Sequence, residues 1–160
     1  MNRALPWLAL SPPAPATAAC CAAGKRVKHK GETFEGLSST QKTLGGFGNV
    51  EDNLLSLPGG AYRAVAVRSF DAKSNTWSIW WLDGRSPGVL DVPVVGRFEG
   101  GVGTFLARDT LNGRAIDIRF IWRPGERPRW EQAFSADGGK TWETNWVMDF
   151  TRPDAGAAAP

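Results

Sequence analysis

The run Tyr62-Arg63-Ala64-Val65-Ala66-Val67-Arg68-Ser69-Phe70 alternates side chains at period two. It is followed by the polar turn Asp71-Ala72-Lys73-Ser74-Asn75 and then by Thr76-Trp77-Ser78-Ile79-Trp80-Trp81-Leu82. Two such runs around a short polar turn read as a β-hairpin, because successive strand side chains point to opposite faces. The same pattern continues on both sides. Thr33 to Thr40 precedes it; Val94 to Glu99 and Val102 to Arg108 flank the Gly100-Gly101 turn. Asn112-Gly113, the strongest short hairpin signal in the chain, leads into Arg114 to Trp122, which ends at Pro124-Gly125. Arg129 to Phe134 and Thr141 to Phe150 complete a set of about eight strands, with no sustained helical period. Hairpin after hairpin predicts an all-β fold, an antiparallel up-and-down barrel, whose closure removes exposed strand edges.

The 160 residues suffice for one domain with a real core. Eight Trp and eight Phe stand against one Tyr and one His, so the chain is not disordered and chemistry that depends on His is nearly excluded. Charge is unevenly spread. Residues 1–30 carry Arg3, Lys25, Arg26, Lys28 and Lys30 and no acid, whereas the rest carries 14 Lys+Arg against 16 Asp+Glu. The body is therefore near neutral, and no nucleic-acid partner is expected.

The organisation read from the sequence is a leader over residues 1–31, a barrel domain over 32–152 and a disordered tail over 153–160. The leader reads as a flexible basic segment, a vestigial signal or a degraded first strand; the apolar run Ala4-Leu5-Pro6-Trp7-Leu8-Ala9-Leu10 is signal-like but interrupted by proline. No run is long enough for a membrane span. Cys20 and Cys21 are adjacent and cannot easily bridge each other, so no disulfide framework is expected. Cytoplasm is the default location, export the alternative. His29 is alone in a Lys-rich stretch, and neither a metal nor a cofactor is expected.

The strands share an aromatic face: Trp77/Ile79/Trp81, Ile116/Ile118/Phe120/Trp122, Trp130/Gln132/Phe134 and Trp142/Thr144/Trp146/Met148/Phe150. Such a face is either a filled core or, in a small barrel, the wall of a ligand cavity. Trp is costly to bury unless its N–H finds a partner, which points to a cavity. The candidate ligand-binding set is Arg68, Trp77, Trp81, Trp122, Trp130, Gln132, Thr144 and Trp146. On the opposite face, Arg119, Glu131 and Asn145 form a candidate polar network. Ser135-Ala136-Asp137-Gly138-Gly139-Lys140-Thr141-Trp142 fits Ser-x-Asp-x-Gly-x-Thr-Trp, the Asp-box pattern. In it Ser135, Asp137, Gly139, Thr141 and Trp142 staple a turn rather than form a site.

Tyr62 to Asp71, Trp77 to Asp83, Pro93 to Phe98, Gly101 to Phe105, Trp130 to Ser135 and above all Gly138 to Trp146 resemble an uncharacterised bacterial family of calycin-like (lipocalin-like) β-barrels. The resemblance covers about residues 32–152 and implies the fold far more than the function. Members of that family open with a strand containing Gly-x-Trp. Gly24-Lys25-Arg26-Val27-Lys28-His29 is a Trp-less remnant of it, so the first strand is expected to be missing or replaced. The leading functional reading is a barrel that holds a small, largely apolar or aromatic molecule without catalysis. The alternatives are an isomerase- or lyase-type enzyme on the same barrel, with Glu131 and Arg119 in the site, and a homo-oligomeric, possible homodimeric, module using the Trp-rich face.

Overall fold

Alternation in this chain produces strands, and the strands close on themselves. The computed structural model describes residues 21–151, so the leader up to Cys20 and the tail from residue 152 lie outside the described residues. Among the described residues, ten strands run in chain order. They are β1 (Cys21–His29), β2 (Glu32–Thr43), β3 (Gly48–Leu57), β4 (Gly60–Asp71), β5 (Thr76–Asp83), β6 (Val94–Glu99), β7 (Val102–Leu111), β8 (Arg114–Arg123), β9 (Arg129–Ser135) and β10 (Glu143–Thr151). Each pairs antiparallel with its chain neighbours, and β1 pairs with β10 to close the barrel. No edge is left open.

Two expectations are corrected by this architecture. The strand count is ten rather than about eight, and the first strand is present: Cys21–His29 is hydrogen-bonded to β2 on one side and β10 on the other. The strands that escaped the sequence reading are β1 and β3, and both carry polar side chains at inward positions. On β1 Lys25 points inward beside Val27, between the exposed Arg26 and Lys28; on β3 Asn49, Glu51 and Asn53 point inward with Leu55, while Val50 and Leu54 face out. A run of charges in β1 and an inverted alternation over Asn49 to Leu54 do not announce strands buried on one face.

The hairpins after β1, β3, β5, β7 and β9 gather at one end of the barrel, the mouth, and those after β2, β4, β6 and β8 at the other, the base. The base is filled. Trp77, Phe105 and Trp122 are almost fully enclosed there, with Phe70 against Trp77 at 5.2 Å and Phe150 edge-on to Trp122 at 5.3 Å. Burying rings of this size is the largest apolar contribution available to a small domain. The β5–β6 seam is the shortest, only Trp77↔Gly96 to Ile79↔Val94. Above it, residues 84–93 leave the ladder and hang from β5 by the Asp91 N–H to Trp81 C=O bond at 3.0 Å and the Leu82↔Leu90 bridge. That loop borders the mouth.

Candidate functional site

The base is packed, but the upper interior is not. A cavity of about 450 Å³ lies between β5, β8, β9 and β10 and reaches the mouth beneath Val89, Asp91 and Val92 of the 84–93 loop. Its walls are Ile79 and Trp81 of β5, Ile118 and Phe120 of β8, Trp130 and Gln132 of β9, and Trp146 of β10. These are successive inward positions, two residues apart on each strand, so the pleat alone aims them at one another. The rings also fix each other edge to face. Trp81 and Trp130 each meet Trp146 at 5.7 Å, and Phe120 meets Trp130 at 4.8 Å. Interlocked rings cost little further entropy when a ligand arrives, which suits a preformed apolar pocket.

Sharing Ile79, Trp81, Phe120 and Trp130 with this cavity, a small pocket of about 40 Å³ lies toward the base and is bordered also by Thr40, Glu51 and Arg68. Behind it lies a polar cluster contributed by β1 to β4. Arg68 donates from Nη2 to Glu51 and from Nη1 to Asn49 Oδ1 at 2.9 Å. Lys25 Nζ and Ser38 Oγ both donate to Asn53 Oδ1, the latter at 3.1 Å. Gly36 makes this possible: it stands opposite Lys25, and a Cβ there would come within 3.0 Å of the Lys25 chain and 2.8 Å of the Leu54 carbonyl. Lys25 is 1% exposed and Glu51 6%. Burial pulls the Lys25 ammonium down to about 8, against the nearby Glu51 charge that favours protonation, with Arg68 adding to the fall. Burial pushes Glu51 up, yet the Arg68 and Lys25 charges and the hydrogen bonds from Arg68 and Ser38 outweigh it and hold the carboxyl at about 2. Glu51 is an ionised, pinned carboxylate.

Of the residues expected to bind a ligand, Trp81, Trp130, Gln132 and Trp146 line the main cavity, and Arg68 and Trp122 line the pocket below it. Trp77 is in the packed base with Phe70. Thr144 is on the outer surface. The reason is a bulge: Thr144 pairs with Ala133 and Trp146 with Gln132, so Asn145 is an extra residue and the faces exchange there. Asn145 accepts from Gln132 Nε2 at 3.0 Å, and its main-chain carbonyl accepts from His29 Nδ1 at 3.2 Å. His29 lies against Trp146, ring centres 4.5 Å apart and planes tilted by 41°, and burial lowers its pKa against that hydrogen bond. The ring is therefore neutral at pH 7 with Nδ1–H as the donor.

Arg119, Glu131 and Asn145 do not form one network. Glu131 pairs with Arg123 and Arg129 outside the barrel at 3.0 and 2.7 Å, and Arg119 lies over the Trp142 ring at 4.3 Å. No known family model matches the chain, and no curated protein does. At the Ser135–Trp142 turn, Asp137 Oδ1 accepts from Ser135 Oγ and the Lys140 and Thr141 N–H groups, and Oδ2 accepts from Thr141 Oγ1. Gly138 and Gly139 take positive φ, and Trp142 Nε1 donates to the Gly139 carbonyl at 3.0 Å. These bonds are local to the turn.

The residues the sequence reading did not single out are Lys25, Ser38, Asn49, Glu51 and Asn53, together with Asp83, Asp91 and Asp109 at the mouth. The signal for the first group was present as polar residues at period two, Asn49, Glu51 and Asn53. Among the described residues no group of three or more His, Cys, Asp or Glu side chains is placed to hold a metal ion, and no helix is long and apolar enough to cross a membrane.

Proposed function

We propose that the protein binds a small, largely apolar or aromatic molecule inside its barrel and carries out no reaction on it. One observation carries this reading: the cavity of about 450 Å³ walled by Trp81, Trp130 and Trp146 and reaching the mouth. Its size falls within the range of small-molecule sites, and its deeper walls are apolar with one convergent amide, Gln132, while Asp83, Asp91 and Asp109 line it at the mouth. Among the described residues the buried Trp146 indole N–H has no hydrogen-bond partner. The enzyme reading named Glu131 and Arg119, and these face away from the cavity. The oligomer reading used the Trp-rich face, which is turned into the barrel.

We also propose membership of the calycin-like barrels, and that Asp137 belongs to an Asp-box. The ten-stranded next-neighbour meander with one open end supports the first, and the turn hydrogen bonds of Asp137 support the second. The binding proposal is tested by titrating the protein with naphthalene carboxamide, a neutral aromatic probe, while following Trp emission. Saturable quenching with one-to-one stoichiometry is expected. Absence of any binding to the folded protein overturns it.

A further inference from the structure

Among the described residues, charge in the polar cluster behind the cavity does not balance. Arg68 and Glu51 form an ion pair whose side chains are 12% and 7% exposed, and the Arg68 guanidinium has a second bond to the neutral Asn49 amide. Lys25, in the same cluster, donates to a neutral amide too, Asn53, and its ammonium lies 5.7 Å from the centre of the Phe150 ring. The two cations and one anion leave a surplus positive charge in a setting where an unmatched charge is expensive. Arg68 and Glu51 also border the small pocket at the bottom of the aromatic cavity. That pocket, about 40 Å³, holds one small polar group and no more.

We propose that the ligand is an organic acid: an apolar or aromatic body lodged between Trp81, Trp130 and Trp146, with its anionic head in the pocket against Arg68, where the surplus charge of Lys25 stabilises it. This rests on the reading of the cavity as a binding site and adds the ligand's chemical class and orientation. Lys25 does not border the pocket and acts through its field, as a positioning charge. The burial that draws its ammonium down to about 8 is the cost an anionic head would relieve. The mouth carries the opposite sign, with Asp83, Asp91 and Asp109 on its border; of the three, among the described residues, only Asp83 has an ion pair, to Arg85. Burial and the neighbouring Asp109 and Asp83 charges push the Asp91 carboxyl up. An acid is therefore stable only head-down, at the far end from these carboxylates.

The test compares naphthalene carboxylate with naphthalene carboxamide by calorimetry, on the native protein, on Lys25→Met and on Lys25→Gln. Both variants leave the Arg68–Glu51 pair intact, and Ser38 still donates to Asn53; the glutamine can also keep an amide bond there. The carboxylate is expected to bind the native protein about tenfold more tightly than the amide, the scale of one charge acting through the interior at a moderate effective dielectric. In each variant that advantage collapses while the amide binds as before, and high salt leaves the native advantage largely in place because the cluster is shielded from solvent. An equal affinity for both compounds, or an advantage that survives in a folded Lys25 variant, overturns the inference and leaves the cavity a neutral binding site. If neither compound binds the native protein, the cavity reading fails and the inference falls with it.

Discussion

The two halves of the barrel wall solve opposite problems with the same backbone. From β5 to β10 the inward positions below the mouth are mostly rings and aliphatics, from Trp77 and Phe105 at the base to Trp81, Phe120 and Trp146 above them, with Gln132 the amide among them. From β1 to β4 the inward positions at middle height are Lys25, Ser38, Asn49, Glu51, Asn53 and Arg68. The aromatic half gains its stability from burial alone and tolerates a cavity because rings brace each other across it. The polar half is stable only while every group keeps its partner. The difference teaches where each half can be altered: rings lose stability in proportion to what they bury, whereas the charges respond according to which partner is left behind.

The largest expected effect is therefore on the polar side. Arg68→Met leaves Glu51 buried without its cation and is expected to cost about 3–5 kcal/mol in chemical denaturation, the scale of breaking a buried ion pair. Lys25→Met removes the surplus charge instead, and the same measurement should show stability unchanged or raised. Equal losses in the two variants would erase the distinction drawn between them. On the aromatic side, Trp122→Ala at the enclosed base should cost about 3–5 kcal/mol. Trp146→Ala, at a ring already facing the cavity, should cost less in stability but weaken probe binding.

The polar half also leaves a pH signature. Lys25 titrates near 8 in the folded protein and at its ordinary 10.5 when unfolded. Between those values the unfolded chain binds the extra proton, so stability rises as pH climbs from about 8 toward 10.5, by about 3 kcal/mol, and is flat below that window for this group. Glu51 has the opposite sense: its contribution is present above the usual carboxylate range and is lost as pH falls from 4.5 toward about 2. Denaturation midpoints across pH, in native protein and Lys25→Met, check both; the alkaline rise should vanish in the variant. The smallest effect belongs to the Asp137 turn. Asp137→Ala removes its turn hydrogen bonds and should lower the melting temperature slightly while leaving probe affinity untouched, since the turn does not contribute to the cavity wall.

This division also explains what could be read in the sequence. The aromatic half was legible because hydrophobic residues at period two, as in Thr76 to Leu82 and Arg114 to Trp122, carry the strand signal directly. The antiparallel barrel followed from the hairpin turns, and four of the expected cavity residues, Trp81, Trp130, Gln132 and Trp146, do come together. In the polar half β2, β4 and Arg68 were legible, but β1 and β3 were not. Lys25 read as one more residue of a basic leader, and Asn49-Val50-Glu51-Asp52-Asn53 was assigned to no strand, because polar residues at its inward positions reverse the expected pattern. Thr144 and Asn145 exchanged faces for a separate reason, the bulge, which no periodicity reports before the register is known.

The central claim is that the space between Trp81, Trp130 and Trp146 is a binding site, and filling that space tests it most directly. Ile118 lines the cavity and is half-buried, so Ile118→Trp should occupy part of the volume without disturbing the packed base. Calorimetric titration with naphthalene carboxamide is expected to show one-to-one binding to the native protein and none, or a large loss of affinity, in an Ile118→Trp variant that melts at the native temperature. A native protein that binds nothing, or a folded variant that binds as well as the native protein, would contradict the account.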